Sequence, residues 1–199
     1  MARKTEEKRR LILYAALEAF EKSGFMAARM EDIAREAGVA KGTIYSYFES
    51  KEALLMGLAE EVAPLVLGTM TKLSDRSDMT LKEKILFVAQ PLLADNARGR
   101  PARIVRVLWS EGLHRPTSIQ PILRKLLVPL LKQGGALEQF VADERIPDFY
   151  KRYPLGLLAP LVQGVLWQGL FLEDMPLDTE DYFRAYLDFV LPDEAPSKD

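Results

Sequence analysis

Along almost the whole chain, apolar residues return at every third or fourth position, as Leu11, Tyr14, Ala15, Leu17, Ala19 and Phe20 do, and no alternating run of strand length interrupts them. A period near 3.6 draws one apolar stripe along an α-helix, whereas a half-buried strand needs a period of 2. The chain is therefore expected to be all-α. Its 199 residues suffice for one large domain, or for a small one joined to a medium one. With 48% hydrophobic and 28% charged residues, it has the apolar content that a packed core requires.

Composition removes several chemistries. There is no cysteine, which excludes disulfide frameworks, thiolate metal sites and cysteine nucleophiles and suits a reducing, cytoplasmic setting. His114 is the one histidine, so a metal cage or a Ser-His-Asp site would have to be built around it alone. No cofactor loop, metal-ligand cluster or nucleophile-base pair stands out. No catalytic residue, metal or cofactor is expected, and a small helical enzyme is only a remote alternative. The net charge is −2, with a surplus of two positive charges in residues 1–51 and of four negative ones beyond. Arg3, Lys4, Lys8, Arg9 and Arg10 crowd the start, where they form either a phosphate-facing arm or a solvated tail and leave no room for a signal peptide.

Punctuation divides the helical pattern. Thr5 with Glu6 and Glu7 opens a first helix that Gly24 closes. Two very short helices follow, from about Met30 to Ala37, stopped by Gly38, and from about Lys41 to Phe48; Ser50 then caps a long helix from Lys51. Thr80 and Glu83 make a capping box for a helix reaching about Asn96, and the next spans Pro101 to His114. A leucine-rich helix runs from about Ser118 to Gly134 and Gly135, another begins near Pro154, and the last runs from Thr179 to Leu191. Pro64, Pro91, Pro121, Pro129 and Pro160 each start or kink a helix.

The segment Pro154 to Leu172 has nineteen residues without a charge, close to the length of a membrane span. Gln163, Gln168, three glycines and two prolines interrupt it, so no membrane association is expected. A helix apolar on all sides needs burial on all sides. In a chain this small, that points to burial partly against a second subunit.

The most informative stretch runs from Ile33 to Phe48 as IAREAGVAKGTIYSYF. Ile33, Ala37, Val39, Ile44 and Phe48 fall on an inward face, while Ala34 and Gly38 let two short helices approach and turn, the pattern of a helix-turn-helix. The second helix then offers Lys41, Gly42, Thr43, Tyr45, Ser46 and Tyr47. Short side chains permit close approach to base edges, Thr43 can bond a base or touch a thymine methyl, and Lys41 can reach guanine or a phosphate. Tyr45, Tyr47 and Lys51 read as clamps on the DNA backbone.

This stretch, with Phe20, Gly24-Phe25, Asp32 and Ser50-Lys51-Glu52-Ala53-Leu54, closely resembles the N-terminal DNA-binding domain of the TetR family of bacterial transcriptional repressors over about residues 5–58. The resemblance implies that Lys41, Gly42, Thr43, Tyr45, Tyr47 and Lys51 contact double-stranded DNA. Two positions depart from the family pattern. Arg29 stands where Ser or Thr usually caps the second helix, exchanging a cap for a cationic phosphate ligand, and Ala40 stands where Ser is common.

The resemblance further implies a DNA-binding domain at 1–51 and a helical effector-binding and dimerisation domain at 52–199. It implies a homodimer through the last two helices, about 154–172 and 179–191, on a palindromic operator, with release by a small-molecule effector. Tyr182, Phe183, Tyr186, Leu187, Phe189 and Val190 give the final helix an apolar face for such a bundle. An activator or an effector-independent regulator would share the same N-terminal half. Trp109, Glu111, His114 and Trp167 are candidate effector contacts. Core packing is the preferred explanation of the tryptophans, and a surface ion pair that of Glu111 with His114, three apart. Arg98, Arg100, Arg103 and Arg106 read as a solvated basic face, with an anionic effector or a neighbouring helix as the alternative partner.

Overall fold

The computed structural model describes residues 2–73, 78–131, 141–142, 144, 146–171 and 174–191. Among them every regular element is helical: α1 (Ala2–Ala27), α2 (Met30–Glu36), α3 (Lys41–Tyr47), α4 (Lys51–Leu73), α5 (Leu81–Ala97), α6 (Arg100–His114), α7 (Pro116–Leu131), α8 (Asp148–Arg152), a 3-10 turn (Pro154–Leu158), α9 (Ala159–Leu170) and α10 (Thr179–Val190). None is long and apolar enough to cross a membrane. The expected end at Gly134 and Gly135 lies outside the described residues, as does Leu172.

The expected caps form. Thr80 accepts from the Glu83 amide while Glu83 accepts from that of Thr80, a reciprocal capping box at the start of α5. The Ala53 amide donates to the Ser50 hydroxyl at 3.2 Å. Gly24 breaks the dihedral pattern of α1 with φ +76° and ψ 157°. The uncharged segment is not one helix: Pro154 opens the 3-10 turn, and Pro160 stands in the first turn of α9, where its missing amide costs no bond.

The chain forms two compact units, Met1–Val62 with Arg103–Leu123, and Ala63–Ala102 with Arg124–Asp199. The first unit extends past the expected boundary at residue 51 into the first half of α4. Leu54, Leu55 and Leu58, in the first half of α4, are buried with Ile12, Leu13, Ala16 and Leu17 of α1. A Cβ on Gly57 would fall 2.9 Å from both Leu13 and Phe48 side-chain atoms. The opening of α4 is thus core of the first unit.

The first unit also takes in α6 beyond its first turn. Arg103 Nε donates to both carboxylate oxygens of Glu21, at 3.1 and 3.0 Å, and its Nη2 pairs with Glu18 and Glu21 of α1. These bonds hold the guanidinium pKa well above its ordinary value. The reading of Arg103 as part of a solvated basic face is thereby corrected.

In the second unit α9 and α10 pack on α5 and on each other. Ile85, Val88 and Ala89 meet Leu161, Val165, Phe183 and Leu187 in a buried core. Asn96, at φ +52°, accepts from the Thr179 amide at 2.8 Å and the Thr179 hydroxyl at 2.7 Å, fixing the start of α10. Asp178 caps the same end through the amides of Glu180 and Asp181.

Candidate nucleic-acid interface

The turn between α2 and α3 is set by Gly38. At φ +66° it lets the Gly38 amide reach Arg35 O at 3.1 Å and the Val39 amide reach Ala34 O at 2.9 Å. This double closure satisfies the last carbonyls of α2 and reverses the chain within four residues. A side chain with a Cβ would cost roughly 1–2 kcal/mol in that left-handed conformation.

The α3 helix divides its residues by direction. Ile44 is buried at its centre and Phe48 just beyond its end, both in the core with Ile33 of α2. Lys41, Gly42, Tyr45 and Ser46 are exposed, and Thr43 and Tyr47 are half-buried. A Cβ on Gly42 would meet no side chain or distant backbone atom within 4 Å, so the position is open to solvent. Neither Arg29 nor Ala40 provides a side-chain cap; both are extended, at φ −118° and −66°.

Cations of this module are held by the protein itself. Lys41 Nζ lies 2.9 Å from Glu31 Oε1, and that bond raises the Lys41 pKa and lowers that of Glu31. Lys51 Nζ donates to the carbonyls of Phe25 at 2.6 Å and Met26 at 2.9 Å, 4.9 Å from the Phe25 ring centroid. Lys51 thus ties the end of α1 to the start of α4, where the negative end of a helix attracts a cation. The sequence reading as a phosphate clamp overlooked this, because the partner carbonyls lie 25 and 26 residues away on another helix. Arg9, from the basic start, lies 3.5 Å from Glu60 and 5.6 Å from the Phe48 ring centroid. The pairing of Glu31 with Lys41 had no sequence signal, because the two residues belong to different helices.

The four candidate effector contacts do not converge within either unit. Trp109, Glu111 and His114 lie in the first, Trp167 in the second. Glu111 is 7% exposed and pairs with Arg115 at 2.9 Å rather than with His114, whose Nδ1 lies 2.7 Å from Ser110 O. Trp167 packs against Phe171 at a tilt, with ring centroids 4.6 Å apart, and donates to Met175 O at 2.8 Å.

Two short helices joined by a glycine turn, the second exposing lysine, glycine, threonine and tyrosine, define a helix-turn-helix DNA-binding module. Residues 12–57 match the family model for bacterial regulatory proteins, tetR family. The chain belongs to the TetR family of transcriptional regulators. It is 35% identical over 146 residues to the uncharacterized HTH-type transcriptional regulator YerO of Bacillus subtilis, a match covering 69% of this chain and 50% of that protein. The matched region spans half or less of the length of each of the first curated relatives. A Rhodococcus transcriptional regulator shares the fold at a TM-score of 0.69 and 20% identity, covering 92% of this chain and 95% of that one. The fatty acid degradation regulator FadR of Bacillus halodurans does so at 0.68 and 20%, covering 94% and 95%.

Proposed function

We propose that this protein is a homodimeric, cytoplasmic repressor that binds a palindromic operator through α3 and is released by a small-molecule effector. The observation that carries the reading is Gly42, whose open side faces no side chain or distant backbone atom within 4 Å while its helix neighbours Lys41 and Tyr45 are exposed beside it. A bare, flanked surface of this kind admits base edges. Lys41 and Thr43 are assigned to base contact, and Arg29, Tyr45 and Tyr47 to the phosphate backbone. Lys51 joins them only if its ammonium leaves the carbonyls of α1.

The exposed face of α10 supports the dimer. Phe183, Leu187 and Val190 are buried within the protomer; on another face Phe189 is 85% exposed, beside the half-buried Tyr182 and Tyr186, whose hydroxyls donate to Gln163 and to Gly156 O. An isolated short helix binds DNA weakly, whereas a twofold places two of them about 34–36 Å apart in successive major grooves. Release follows from a population shift: an effector favours the DNA-incompetent form only as far as it binds that form more tightly, typically by about 1–3 kcal/mol. The lever is α4, which passes from the first unit to the second and contains Pro64.

Selection of duplexes from a random pool at physiological salt tests the reading. The expected result is a palindrome with half-sites about one turn apart. Enrichment of no sequence, with binding lost at modest salt, overturns it.

A further inference from the structure

Glu31 lies in the first turn of α2, two residues after Arg29, and its carboxylate reaches Lys41 Nζ at the first position of α3. Both partners are substantially exposed, Lys41 at 67% and Glu31 at 49% of their side chains. An acid there works against phosphate binding, since it repels the same backbone that Arg29 and Lys41 attract. An exposed pair also contributes little to stability. What the pair does accomplish is to restrict a flexible four-carbon stem. Unpaired, a lysine ammonium swings to the nearest phosphate; paired across α2 and α3, it stays at the start of the recognition helix, where base edges pass.

We propose that Glu31 is a positioning residue for DNA recognition, holding Lys41 for base contact and away from phosphates, so that sequence preference depends on it. The inference rests on the assignment of α3 as the DNA-reading helix. It extends that assignment to a residue on α2 that touches no base.

The test is fluorescence anisotropy of the full chain with the duplex selected from the random pool and with a scrambled duplex, between about 50 and 200 mM salt. Glu31→Gln should raise affinity for the scrambled duplex by about two- to fivefold, the range an exposed ion pair spans. It should also steepen the plot of log K against log salt by about 0.9, the slope of one additional phosphate contact. The preference for the selected duplex should fall by a similar factor, and Glu31→Asp, which keeps the charge, should restore part of it. In a Lys41→Ala background, Glu31→Gln should leave the preference between the two duplexes unchanged and give only a smaller, uniform gain in affinity from the loss of its own repulsion. If it raises affinity equally in that background, Glu31 acts as a simple repulsive charge and the proposal is overturned. A wild-type protein that prefers its selected duplex, with Glu31→Gln leaving that preference intact, breaks the role of Glu31 alone. A wild-type protein with no preference breaks the assignment of α3 itself.

Discussion

The α2–α3 pair and the α9–α10 pair are both built of helices, yet they use their sequences differently. The α2 and α3 helices have seven residues each. Helices that short are unstable alone, so their sequence must specify the turn, the buried positions and the exposed face one residue at a time. The α9 and α10 helices have twelve residues each and are fixed by burial against α5. An apolar stripe is enough to place them and leaves open what their other faces meet. Function is legible where structure is locally specified, and obscure where a generic core suffices.

The comparison breaks first at the dimer face. Phe189→Arg adds charge at a position 85% exposed, beside Tyr186 and away from the core residues Phe183 and Leu187. The expected outcome is a folded monomer by sedimentation, with operator affinity down about 100-fold as the second half-site is lost. An unaltered dimer would show that α10 has no part in the interface.

Asn96→Ala sharpens it from the side of the second unit. Asn96 accepts two hydrogen bonds from Thr179, which is 2% exposed, and it adopts a left-handed conformation that alanine resists. A loss of about 2–3 kcal/mol is expected, from two lost bonds and backbone strain. Thermal unfolding measures it, and an unchanged midpoint would show that Asp178 alone holds the start of α10.

Asn96 also explains what could be read beforehand and what could not. Gly38 announced its positive φ because glycine tolerates it, and the turn lies where the residue stands. Asp95, Asn96 and Ala97 have φ of 55°, 52° and 58° with no glycine among them. Part of what holds that run is a bond to residue 179, invisible to local pattern. The same limit applies to Arg103, read as solvated until α1 supplied Glu18 and Glu21. Glu111 differs: its partner proved to be Arg115, four residues on, a local pairing that the reading with His114 passed over. The helix-turn-helix was legible in its turn glycine and its buried positions; the surroundings of Trp109, Glu111, His114 and Trp167 were not, because tryptophan and glutamate carry the same sequence signal in a core, an ion pair or a pocket.

Gly42→Leu separates contact from packing within α3. The position is exposed and open, so the side chain fits, and leucine should stabilise the helix by up to about 1 kcal/mol over glycine. Operator affinity should nonetheless fall about tenfold, the effect of losing one good base contact. A more stable protein that binds DNA less well would place the reason for this glycine outside the protomer; undiminished binding would remove Gly42 from the interface.

The smallest effect concerns Lys51, where the two regions' logic meets in one side chain. Its ammonium bonds the Phe25 and Met26 carbonyls, and Arg115 lies over the same Phe25 ring at 5.4 Å. Lys51→Met keeps the stem and removes the charge. Hydrogen bonds to a charged donor contribute about 1.5–3 kcal/mol when buried. Lys51 is only half-buried, so a loss of about 1 kcal/mol is expected, or about 2–4 °C in Tm. A clamp on phosphate predicts the opposite division: Tm unchanged and the salt dependence of operator binding shallower by about 0.9. Measuring both on the same variant decides whether the residue at the start of α4 frames the recognition helix or grips the duplex beside it.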